Sequence, residues 1–230
     1  MAAAARGPAL RSTSAPVGWQ SGRMPIDPNQ HDRYVLRQHI RAVINQYEIT
    51  LAGEDGKPGE PVAFVEQARF KFKEDIRFYA DKSKQVELMR LKARQRFDPR
   101  ARYDVTDDHG EKIGEIQKVF GESLLRSTYR LYDASGSELA TARERNRFVA
   151  LVRRLVGIIP YVGDYADWLP IPYHFDFVRG DQVLGSHERR TGAFKFRDVY
   201  DIDMSADAER SVDRRLVLAI AVGMDALQAR

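Results

Sequence analysis

Apolar and polar residues alternate with a period of two through most of this chain, and short polar turns interrupt the alternation at regular intervals. "YDVTDDHGEKIGEI" from Tyr103, "YRLYDASGSELATA" from Tyr129 and "YHFDFVRGDQVLGS" from Tyr173 share one plan. So do "YEITLAGEDGKPGEPVAFV" from Tyr47 and the looser "IRFYADKSKQVEL" from Ile76. Each joins two alternating strands through a polar turn carrying Asp, and in four of the five also Gly. Gly56, Gly110, Gly136 and Gly180 suit the positive φ that tight hairpin turns require. The pattern predicts five β-hairpins. With further strands near Val35–Ile44 and Phe194–Tyr200, the total is roughly twelve.

Two stretches depart from the period of two. Between Tyr129 and Tyr173 the repeat spacing widens, and the insertion reads "NRFVALVRRLVGIIPYVGDYADWLPIP". Phe148, Leu151, Val152, Leu155, Val156 and Ile159 fall at helical spacing, and Pro160 ends the run. The second stretch is "LVLAIAVGM", Leu216–Met224, with no polar residue. Extended to Leu227 it covers only about 18 Å as a helix, against ~30 Å for a hydrocarbon core. It therefore predicts a buried helix rather than a membrane span, with Ser205 or Asp207 capping its start. Leu216, Ile220, Met224 and Leu227 line one face, with the small residues Ala219, Gly223 and Ala226 beside them.

A helix that is apolar on every side must be enclosed on every side. A sheet of about twelve strands must curl or close to protect its edges, and once closed it is too wide to fill with its own side chains. The two needs meet in one architecture. The fold class is mainly β: a closed antiparallel barrel of roughly twelve strands around a hydrophobic C-terminal α-helix, with an amphipathic helix inserted before the last hairpin. These hairpins, with the terminal "VDRRLVLAIAVGMDAL", resemble the tubby C-terminal-like superfold, and within it the LURP-one-related and phospholipid scramblase-like branch. The resemblance covers about Tyr34 to Gln228. It implies an antiparallel barrel enclosing its C-terminal helix, and specifies fold more closely than activity.

The first stretch, residues 1–30, has no apolar period and is expected to be a disordered tail, with Met24 an alternative start; residues 31–230 form a single domain. The chain contains no cysteine, so disulfides and thiolate metal sites are excluded. No GxSxG, GxxxxGK[ST], HExxH or GxGxxG pattern occurs, no cofactor is implied, and the expectation is a non-enzymatic protein without catalytic residues. His187 and Ser186 are strand neighbours that face opposite ways, which argues against a triad. Scramblases carry a calcium segment before the terminal helix. Here "DIDMSADAER" holds Asp201, Asp203, Asp207 and Glu209, without EF-hand order, and capping or solvation suits them better than calcium.

A net charge of +4 permits anionic partners without demanding them. The cations are patterned. In "MRLKARQRF", Arg90, Lys92, Arg94 and Arg96 share one strand face; in "RFKFK", Arg69, Lys71 and Lys73 do; Arg77 stands between. A basic outer wall follows, with carboxylates scarce on it, and these eight residues are candidate contacts for an anionic headgroup. The insertion adds Arg147, Arg153 and Arg154 with Tyr161, Tyr165 and Trp168, a set able to lie at a membrane interface, although a plug over the barrel mouth fits the same pattern. Tubby relatives bind phosphoinositides, so the resemblance implies a cytoplasmic protein that binds anionic phospholipid and docks peripherally at the inner face of the membrane without spanning it. The alternative is a regulatory module whose basic face meets a protein or nucleic acid.

Overall fold

The computed structural model describes residues 26–40, 44–68, 75–94, 102–119, 128–145, 174–190 and 198–228. Twelve antiparallel strands form one closed barrel. In chain order they are β1 (Arg33–Ile40), β2 (Ile44–Ala52), β3 (Pro58–Ala68), β4 (Asp75–Tyr79), β5 (Glu87–Ala93) and β6 (Arg102–Asp107). They continue as β7 (Lys112–Val119), β8 (Thr128–Asp133), β9 (Glu138–Glu144), β10 (His174–Arg179), β11 (Gln182–Arg189) and β12 (Val199–Asp203). Each strand pairs with its neighbours in sequence, and β1 closes on β12 from Arg33↔Asp203 to Arg37↔Val199. Closure leaves no free sheet edge. The expected inserted helix, around Phe148–Ile159, lies outside the described residues.

The alternation read in the sequence becomes an inside and an outside. On β4, Ile76 and Phe78 are buried while Arg77 is exposed, and their partners Leu91 and Met89 on β5 are buried with them. Gly110 and Gly136 hold the turns of the β6–β7 and β8–β9 hairpins at φ 83° and 92°. Space around both is open, so backbone conformation alone calls for glycine there. Asp107 and Asp133 lock these turns by accepting from backbone N–H groups two and four residues on, or four residues on. The looser fourth-to-fifth strand hairpin has no glycine, and Lys84 takes the left-handed position itself at φ 57°.

Two hairpin tips curl back over the barrel exterior. Arg190, paired with Asp201 beside β12, donates to the carbonyl of Gly56 in the β2–β3 turn. In the β4–β5 turn, Lys82 reaches Glu48 on β2 and Lys84 reaches Glu66 on β3. Outward-facing Val35 and Phe64 are thereby among buried residues of a wall that faces water elsewhere.

The terminal helix, α1 (Arg214–Gln228), occupies the barrel axis, and every side chain from Leu216 to Val222, with Met224, is fully buried. The wall yields space where the helix passes closest. A Cβ on Gly114 of β7 would stand 2.9 Å from Leu216 Cδ1 and 2.3 Å from the Tyr132 carbonyl. The helix cap is neither Ser205 nor Asp207. Asp213 takes that role, its side chain accepting from the Arg215 N–H at 2.8 Å and its carbonyl from Leu216 and Val217. Asp207 is buried and holds Arg214 instead. The tail boundary also moves. Ile26 packs on the core, Pro28–Gln30 form a 3-10 turn, Tyr34 Oη donates to the Pro28 and His31 carbonyls, and Asn29 Oδ1 accepts from the Arg214 N–H. Residues 26–30 therefore belong to the fold.

Candidate functional site: the charged outer wall

Strands β4 to β7 carry the described part of the basic wall. Arg77 and Arg90 are register partners on the outer face, and Lys92 on β5 and Arg94 just past its end continue it. Arg69, Lys71, Lys73 and Arg96 lie outside the described residues, as do Arg147, Arg153, Arg154, Tyr161, Tyr165 and Trp168.

Carboxylates are not scarce on this wall, which corrects the sequence expectation. Arg90 forms a two-pronged pair with Asp75, one prong at 2.6 Å. Arg77 donates to Glu87 at 3.3 Å. Arg94 grips Asp104 at 2.9 Å and reaches Glu115 at 2.6 Å. Arg102 and Lys112 converge on the same Glu115, at 3.3 Å and 3.4 Å. Hydrogen bonds from Arg90, outweighing partial burial, hold the Asp75 carboxyl below its ordinary range. Burial opposes ionisation of Asp104, yet Arg94 and Lys112 prevail and its pKa is lowered too.

The wall is thus a charge lattice rather than a field of free cations. Arg77, Arg90, Lys92, Arg94, Arg102 and Lys112 face Asp75, Glu87, Asp104 and Glu115, which leaves a surplus of two positive charges. Lys92 is exposed, sits in register between Asp75 and Asp104, and makes no ion pair within 4 Å among the described residues. The hairpin "YDVTDDHGEKIGEI" already put Asp104 and Glu115 on its outward positions. What single-strand reading could not supply was that β6 and β7 stand beside β5.

The aspartates before α1 are committed to cations. Asp201 pairs with Arg190, Asp203 with Arg33 at 3.4 Å, and Asp207 with Arg214 at 2.7 Å. Among the described residues no group of three His, Asp or Glu is placed to hold a metal ion.

His187 faces inward on β11, stacked on Tyr200 at 4.8 Å between ring centres, with neither ring nitrogen hydrogen-bonded. Burial, helped by the charge of neighbouring His174, drops its pKa to about 3. The unfolded chain takes up this proton near pH 6.5 and the folded chain does not. Stability is therefore full above pH 6.5 and declines as pH falls toward the folded value. The loss at pH 4.5 is roughly 3 kcal/mol. Glu48 and Asp207, each held at about 2, add their losses only below their ordinary carboxylate range. The melting temperature is expected to fall between pH 7 and 4.5, and His187→Phe to flatten that slope. A level wild-type profile would refute this assignment.

A closed antiparallel barrel threaded by an apolar helix, with a paired charge lattice outside, defines a helix-filled barrel protein. The chain belongs to the LURP-one-related family, whose model matches residues 62–225. No curated protein matches it. No helix among the described residues is long and apolar enough to cross a membrane.

Proposed function

We propose that this LURP-one-related barrel is a non-enzymatic protein that binds anionic phospholipid headgroups through the β4–β7 wall and docks peripherally on the inner face of the membrane. One observation carries the reading: a positive surplus on rigid strands, centred on exposed Lys92, which makes no ion pair within 4 Å among the described residues. Strand-mounted cations lose little entropy when a negative surface approaches. Each is worth about 1 kcal/mol near such a surface, and the effect fades within a Debye length. The ion pairs set the scale, because Arg90 and Arg94 arrive already neutralised and only the surplus attracts at range.

Lys92→Glu changes the wall by two charges while touching no ion pair among the described residues. Sedimentation with anionic liposomes at low salt is expected to weaken about thirtyfold, with the fold kept and the melt lowered slightly, because the new carboxylate stands opposite Asp75 and Asp104. Arg94→Glu is the poorer probe, since it also breaks the ion pairs with Asp104 and Glu115. Wild-type protein that ignores anionic liposomes sinks the lipid reading. Preference for duplex or single-stranded nucleic acid over liposomes in the same assay would assign the wall to a polyanion instead. Binding that survives Lys92→Glu would move the contact to the Phe148–Trp168 insertion.

A further inference from the structure

The two ends of the barrel interior differ in chemistry. The five hairpin turns and the start of α1 mark one end. There the inward positions are apolar, among them Tyr34, Met89, Val105 and Ile202. At the opposite end β1 and β3 finish and β2 begins, and their inward positions are amides. Gln38 lies in register with Tyr47, and Asn45 with Gln67, on the face that also carries Leu36, Ile49 and Val65. Gln38, Asn45 and Gln67 are only 4%, 6% and 4% exposed.

The buried stretch of α1, Leu216 to Met224, is apolar and offers these amides no side-chain hydrogen bond. Burying an amide costs free energy unless its carbonyl receives a hydrogen bond. Asn45 Oδ1 and Gln67 Oε1 are buried and receive none among the described residues. The two residues are direct cross-strand partners, so one small molecule can span both. Beside the amides, Arg189 and Asp198 pair at 2.6 Å. Glu144, also inward and buried, stands four to six strands away from these amides, on β9.

We propose that this inner rim binds a small uncharged polyhydroxylated molecule. Hydroxyl groups donate to the two carbonyls and accept from amide N–H groups, which matches what Asn and Gln side chains offer. The neighbouring ion pair supplies no net charge for an ionic ligand. The site faces the barrel interior and shares no residue with the outer wall, so each is tested without the other.

The full chain is melted with myo-inositol, glucose and glycerol, and with choline and spermidine as cationic controls. A fitting polyol at a hundredfold excess over its Kd is expected to raise the melting temperature by about 5–10 °C. Asn45→Leu with Gln67→Leu is expected to melt at or above wild type and to lose that shift, because both buried amides are then replaced by apolar groups of similar size. Should the double variant fail to fold, calorimetry on Gln67→Met is expected to show polyol affinity reduced at least tenfold. The proposal is overturned if no polyol shifts the wild-type melt, if only the cations do, or if the variants keep the shift.

Discussion

A chain truncated before Leu216, or one carrying Ile220→Asp, is expected to be insoluble or unfolded. Six large apolar side chains and two alanines of α1 are fully buried between Leu216 and Met224. Their burial is worth on the order of 12 kcal/mol, which rivals the 5–15 kcal/mol net stability of an ordinary domain. Without the helix, the inner faces of twelve strands would line an empty tube too wide to collapse on itself. Ile220→Asp fails by a different route, since a lone carboxylate at the axis finds no cation and no water. Soluble fraction on expression, followed by a circular dichroism melt, decides the matter. A soluble truncated chain with a cooperative transition would show that α1 is an accessory to the barrel and not its core.

The hairpin plan was legible because it is local. Alternation, turn glycines and turn aspartates all act within about fourteen residues, and they placed all five hairpins and the terminal helix. What sequence could not deliver depends on neighbours far apart in the chain. Asp104 and Glu115 neutralise Arg94 across strands, so the wall looked more basic from β5 alone than it is beside β6 and β7. The same limit explains the tail. Ile26–Gln30 carry no periodic signal, yet Asn29 meets the backbone of Arg214 across 185 positions of the chain. The amide rim escaped for a related reason. Gln38, Asn45 and Gln67 look like ordinary polar positions until the register turns them inward. Lys84 shows the converse, a hairpin found by its alternation although its turn lacks the expected glycine.

Asp207→Ala is expected to destabilise the protein by about 3 kcal/mol, the cost of taking from a buried charge its one enclosed carboxylate. Arg214 is fully buried at the start of α1. It donates to Asp207 at 2.7 Å and Asp32 at 2.8 Å, and also to the carbonyls of Val212 and Asp207. Through these bonds one guanidinium ties together the entry to β1, the loop after β12 and the first turn of the helix. Its partners are not equivalent. Asp32 is partly open to water, so Asp32→Asn is expected to cost only about 1 kcal/mol. Asp207 is enclosed, and it also accepts from Ser211 N, Val212 N and Ser211 Oγ. Arg214→Met should therefore cost less than Asp207→Ala, because Asp207 keeps three donors while an orphaned Arg214 loses its only enclosed carboxylate. Arg214→Met combined with Asp207→Ala is expected to cost less than the two single changes added, since no charge is then left without its counterpart. Urea titration of the four variants at pH 7 measures each difference. Equal losses for Asp207→Ala and Asp32→Asn would show that the enclosed pair contributes no more than a surface one, and that closure of the barrel rests on the β1–β12 ladder alone.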